Sequence, residues 1–194
     1  SLIIYNNSAG EWINWETCRE YCDGSAIWAG DGSNVNDSFV RGSNLQIYEN
    51  ATVECSGYSS CTASLTIKTK YQFFYNMLVY QNSGGDELRF NDFTTGIIQN
   101  SIFYDNENYL HISDGDFTIK NSILYKNRPQ YGSDQLNSDA DISITHSNIQ
   151  GGWEGEGNID ADPLFCDPDS GDYTLAENSP CVSTGQDGTN MGAY

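Results

Sequence analysis

Three stretches of the chain repeat one arrangement of apolar and polar positions without gaps: Phe74 to Asn82, Ile98 to Asn106 and Ile119 to Asn127. They share the template apolar-x-Asn-x-(Leu/Ile)-x-Tyr-x-Asn, offset by 24 residues (74 to 98) and then by 21 (98 to 119). Partial copies precede them at Ile3 to Asn7 and Gln46 to Asn50, and a looser one follows at Ile144 to Ile149. Apolar residues alternate with period two, which predicts strands rather than helices. β-branched and aromatic residues fill the template, while Asn and Gly border it. Further short strands are expected at Leu65 to Thr69, Leu88 to Phe90, Leu110 to Ile112 and Phe117 to Ile119.

Two or three short strands and their turns in each ~22-residue repeat describe one coil of a parallel β-helix, an all-β solenoid of roughly six to eight short coils. The repeated Asn then has two physical uses. It tolerates a left-handed backbone at a corner, and its amide can bond the same residue in the adjacent coil. Leucine-rich repeats fit less well, because their fixed Leu positions are absent; a β-propeller needs blades of ~40 residues. One feature leaves two arrangements open. The residue before each Tyr (Ile4, Ile47, Val79, Phe103, Leu124) is apolar as well as the Tyr itself (Tyr5, Tyr48, Tyr80, Tyr104, Tyr125). Strict alternation places only one of these columns in the core. The other must be covered by a loop or a partner.

The whole of 1–194 reads as a single domain: an excursion at 9–37, repeat coils at 38–150, and C-terminal coils with a tail at 151–194. Six cysteines, with no Cys-x-x-Cys pair and only two histidines, argue against zinc and for disulfides made outside the cytoplasm. Neighbour pairing predicts Cys18–Cys22, Cys55–Cys61 and Cys166–Cys181. Cys18 and Cys22 would pin the excursion, in which 11–22 can hold a turn or two of helix.

Charge narrows the partners. With 27 acidic against 8 basic residues the formal net charge is -19, a surface that repels nucleic acid. No apolar run approaches the ~18 residues of a membrane span. No signal peptide opens the chain at Ser1; export would require one already removed or lying outside this segment.

The C-terminal residues carry a resemblance. Asn148 to Trp153, Gly157 to Phe165, Gly171 to Leu175, Asn178 to Cys181 and Met191 to Tyr194 together resemble the terminal coils of secreted right-handed parallel β-helix repeat proteins. These belong to the broad, mostly uncharacterised part of the pectate-lyase-like superfamily. The likeness covers the last ~45 residues closely and runs loosely back to about residue 40 through the Asn pattern. It implies a right-handed helix and an extracellular or cell-surface location, and says little of activity.

Lyases of that superfamily use a Lys or Arg base and often Ca²⁺, so Arg89 beside Asp86 and Asp92 is the candidate catalytic group, set against an exposed strand whose charges face water. The Asn-Thr-Asp, Gly-Asp-Asp, Gly-His-Gly and Arg-Ile-Lys motifs of polygalacturonase-like hydrolases are absent. Asp167, Asp169 and Asp172 suggest either Ca²⁺ or a tight turn, the spacing departing from an EF-hand at Gly171. No other cofactor is expected. Trp12 and Trp15 offer a sugar-stacking platform or a cover for the side of the stack. Asn6, Asn36 and Asn50 head glycosylation sequons.

The expected function is a non-catalytic extracellular module, structural or adhesive, its N-terminal coil uncapped and open to another strand. That edge would join neighbouring domains of a longer chain, or a second copy head-to-tail in a filament. A lyase-type polysaccharide enzyme and a carbohydrate-binding module are the alternatives, with glycans as partners.

Overall fold

The computed structural model describes residues 71–82, 88–91, 95–107, 109–127 and 135–193, together with four earlier strands at 27–30, 39–43, 46–48 and 65–68. Strands numbered in chain order fall into three parallel sheets of five, each sheet taking every third strand. The first holds β1 (Ile27–Gly30), β4 (Leu65–Lys68), β7 (Leu88–Asn91), β10 (Leu110–Ile112) and β13 (Leu136–Ser138). The second holds β2 (Phe39–Ser43), β5 (Tyr71–Tyr75), β8 (Thr95–Gln99), β11 (Asp116–Lys120) and β14 (Asp141–Thr145). The third holds β3 (Gln46–Tyr48), β6 (Leu78–Tyr80), β9 (Ile102–Tyr104), β12 (Ile123–Tyr125) and β15 (Asn148–Ile149). Strand n therefore pairs with strand n+3, the connectivity of an all-β parallel solenoid. The four strand regions expected between template copies are β4, β7, β10 and β11, each within a residue or so at its ends.

Register turns the sequence repeat into columns. Leu88, Leu110 and Leu136 stack in the first sheet; Phe74, Ile98, Ile119 and Ile144 in the second; Val79, Phe103, Leu124 and Ile149 in the third. All are buried in one shared core. Edge-on rings link the sheets across it, Phe74 to Phe90 at 5.5 Å and Phe90 to Phe117 at 5.9 Å between centroids. Phe117 fits because Gly96 precedes it in its column: a Cβ on Gly96 would lie 2.1 Å from the Phe117 ring.

The template is not one strand. It covers the end of a second-sheet strand, a corner, a whole third-sheet strand and a second corner. The first Asn of each copy (Asn76, Asn100, Asn121) makes the first corner, at φ of 55°, 51° and 50°. Such left-handed backbone is easiest for Asn among residues with a side chain. At the second corner the left-handed residue is Gln81, Asp105 or Lys126. That leaves the second Asn free to turn inward. The two roles expected of a single Asn are thus divided between two.

The inward amides form a buried ladder. Asn82 Nδ2 donates to Asn106 Oδ1 at 2.8 Å, Asn106 Nδ2 to Asn127 Oδ1 at 2.8 Å, and Asn127 Nδ2 to Gln135 Oε1 at 3.0 Å. The same oxygens accept from the backbone N–H groups of Asn82, Asn106 and Asn127, and spare amide hydrogens reach the Val79 and Phe103 carbonyls. A second ladder uses serine. Ser101, Ser122 and Ser147 Oγ accept from the N–H of Met77, Ser101 and Ser122 at 3.1, 3.2 and 3.1 Å. Each hydroxyl donates back to a carbonyl two residues earlier. Ser101 and Ser122 occupy the position after the first Asn of the template, which period-two alternation leaves undetermined.

Two substitutions test these columns by urea unfolding. Asn106→Ala strands donors and acceptors in two neighbouring coils, each worth about 1–3 kcal/mol when buried and unpaired, and is expected to cost about 3 kcal/mol or more. Gly96→Val drives a side chain into Phe117 and is expected to cost about 1–3 kcal/mol. Wild-type midpoints in either variant would contradict the corresponding column.

Candidate functional site

Across β6, β9 and β12 the third sheet is buried on both faces, and this settles the two-column question. Val79, Phe103 and Leu124 face the core, while Leu78, Ile102 and Ile123 with Tyr80, Tyr104 and Tyr125 face out. The outward set is covered by the chain itself. After β15, residues 150–162 cross the end of the stack, and 163–193 return as a strap along the outer face of the third sheet. The strap contains β16 (Phe165–Asp167) and β17 (Asp172–Leu175), an antiparallel hairpin joined by a 3-10 turn at Pro168–Ser170. The 151–194 region, expected to add coils, contributes one parallel bridge, Asn148 to Ile159, and then this hairpin.

Tyr173 is the strap's anchor. Its ring lies 4.7 Å from Tyr80, 5.4 Å from Tyr104 and 5.4 Å from Phe165, with Tyr125 stacked on Tyr104 at 6.4 Å. Cys181 and Met191 join Ile102 and Ile123 in the same cluster. Gly192 passes so close that an added Cβ would meet both isoleucines at 3.1 Å. Asn121 fastens the far end: its carbonyl accepts from Gly192 N at 2.7 Å, and its Oδ1 from Gln186 N at 2.8 Å. At the rim, Lys126 Nζ donates to the Tyr104 hydroxyl at 2.8 Å, which holds the ammonium pKa above its ordinary value.

The expected Cys166–Cys181 bridge is not formed. Cys166 is exposed on β16, whereas Cys181 is buried with Asn148 Nδ2 donating to its sulfur at 3.1 Å, and burial pushes its thiol pKa up. Cys18, Cys22, Cys55 and Cys61 lie outside the described residues, as do Asp86, Asp92, Trp12, Trp15 and the sequon residues Asn6 and Asn36, with Asn50. Arg89 is half-buried on β7, outward between the inward Leu88 and Phe90, with Thr66 and His111 beside it in register. Sequence reasoning did not join Arg89 to His111, because the 22-residue step between them becomes adjacency only in the stack.

Asp167, Asp169 and Asp172 are exposed around the hairpin turn. Asp172 Oδ1 accepts from Thr174 N at 3.0 Å and Thr174 Oγ1 at 2.6 Å, which lowers its pKa. Among the described residues no three His, Cys, Asp or Glu side chains come together in a group that could hold a metal ion. No described helix is long and apolar enough to cross a membrane.

No family model, curated protein or solved structure matches the chain. The class established by the structure is therefore all-β with stacked parallel strands.

The strap responds to alkali. Burial, aided by the nearby Tyr80, holds the Tyr173 pKa above its usual 10.0, and burial does the same for Tyr125. A folded-state pKa raised above the unfolded one gives stability that is complete below pH 10 and lost as pH rises through the folded value. The unfolding midpoint should therefore fall above about pH 10, and fall less in Tyr173→Phe. The Tyr173 hydroxyl has no hydrogen-bond partner among the described residues. At neutral pH the Phe variant should thus match wild type within about 1 kcal/mol, whereas Tyr173→Ala should lose about 3–5 kcal/mol. Thermal melts across pH check both.

Proposed function

We propose that this chain is a non-catalytic extracellular module, structural or adhesive, built on a right-handed parallel β-helix of the pectate-lyase-like kind. Its first coil joins it to neighbouring domains of a longer chain or, head-to-tail, to a second copy in a filament. The observation that carries this reading is where the repeated polar residues go. Asn82, Asn106 and Asn127, with Ser101, Ser122 and Ser147, bond coil to coil inside the stack. They build length and stiffness, and none is left converging on a substrate. Export is supported by the resemblance of the C-terminal motifs and by six cysteines, with Cys18–Cys22 and Cys55–Cys61 as bridges and Asn6, Asn36 and Asn50 as glycosylation points.

One observation favours a second reading. Arg89 and His111 stand side by side on the outer face of the first sheet, in a chain with eight basic residues. A guanidinium beside an imidazole suits a lyase acting on an acidic polysaccharide, with Ca²⁺ as helper, or a glycan-binding surface.

Sedimentation over a wide concentration range, paired with a turnover assay on a panel of polysaccharides, separates them. The structural reading expects self-association that rises with concentration, as far as a pair or beyond, and no unsaturated uronate product. Turnover that disappears in Arg89→Ala would replace it with the lyase.

A further inference from the structure

Each ladder in the stack hands its hydrogen bonds to the next coil, so the last coil needs substitutes. The serine ladder ends on an amide: Ser147 N donates to Asn158 Oδ1 at 3.0 Å, where the preceding coils use a serine. The backbone of β15 is met by Ile159, whose carbonyl accepts from Ile149 N and whose N–H donates to Ser147 O, both at 2.9 Å. The corner at His146, left-handed like the three Asn corners, donates its N–H to Glu156 O at 2.7 Å. Asn158 Nδ2 returns to Ile144 O at 2.9 Å.

Side chains change to match. Asn148 stands in the outward column of Leu78, Ile102 and Ile123, and its amide pairs with both the carbonyl and the N–H of Ala161, at 2.8 and 3.2 Å. An amide replaces an aliphatic group here because the next layer is a loop. The loop sits tightly. A Cβ on Gly155 would lie 2.1 Å from Ile144 O, and one on Gly157, whose φ is +69°, would lie 2.6 Å from the His146 ring. What the loop leaves at this end is β13, the bend after it and the first half of β14, where Asn137, Asp139, Asp141 and Ser143 are exposed. Asp141 also stacks in register on Asp116. Charged side chains on a strand edge oppose addition of another strand.

We propose that residues 150–162 are a stop on end-to-end growth, closing this end of the solenoid to a second copy. The inference rests on the reading that coil edges recruit partners, and it makes that recruitment one-sided. With this end closed, the head-to-tail growth proposed above requires the loop to be displaced.

Full-length Asn158→Ala and Gly157→Val proteins, compared with wild type by sedimentation velocity, test this. Wild type is expected to remain a monomer or a pair, and the variants to form larger species whose size rises with concentration. Variants that keep a β circular dichroism spectrum and sediment as wild type would overturn the stop, as would open-ended filaments of wild type. Should the variants unfold, hydrogen exchange of wild type decides. The amides of His146, Ser147 and Ile149 are expected to exchange within about tenfold of those of Asn100 and Asn121 inside the stack. Exchange as fast as a frayed edge would overturn the proposal. A wild type that stays monomeric at every concentration removes assembly through the first coil and leaves the stop to be judged by the variants and the exchange.

Discussion

Everything in this molecule follows from stacking short coils in register with their polar corners inside. A corner buries backbone and side-chain polar groups that water can no longer reach, and each must find a partner in the coil above or below. Asn meets the demand at one corner because its amide both donates and accepts. It receives a bond from the previous coil and passes one to the next, as Asn106 does between Asn82 and Asn127. Serine meets the demand at the other corner with one hydroxyl that accepts from a neighbouring coil and donates within its own. Because every link needs the next, the ladders constrain register more tightly than apolar columns alone, which tolerate swaps among Leu, Ile and Val.

The same constraint explains the ends. A ladder cannot simply stop in a buried place. Gln135 finishes the asparagine column, Asn158 the serine column and Ile159 the backbone of the third sheet. The chain then spends its last thirty residues on a different problem, the apolar outer face of the third sheet. The strap covers that face with Tyr173, Met191 and Cys181, and tethers itself to a corner asparagine, Asn121, whose carbonyl and side chain would otherwise face solvent. A solenoid is usually described as coil upon coil. Here the C-terminal fifth of the chain is a lid over one end and one side.

The structural role proposed above draws on this economy. The repeated polar groups described here are paired with one another, coil to coil, and hold the stack in register. Arg89 and His111 stand in register on neighbouring strands of the first sheet, in a strongly acidic molecule.

The sequence by itself determined the repeat, the strand character and the parallel stacking. A template recurring at 21 and 24 residues with period-two alternation has no other compact way to bury its apolar columns. It also marked Asn as the corner residue, since a left-handed backbone and a self-pairing amide are both written in that side chain. Only the tertiary structure decided which apolar column faces the core, because alternation is symmetric between the two faces of a strand. The answer depended on thirty residues at the far end of the chain returning to cover the tyrosines. The division of labour between the two asparagines, the serine ladder and the pairing of Arg89 with His111 were hidden for the same reason. Each is a contact between coils, set by register, and register is fixed only when all the columns pack at once.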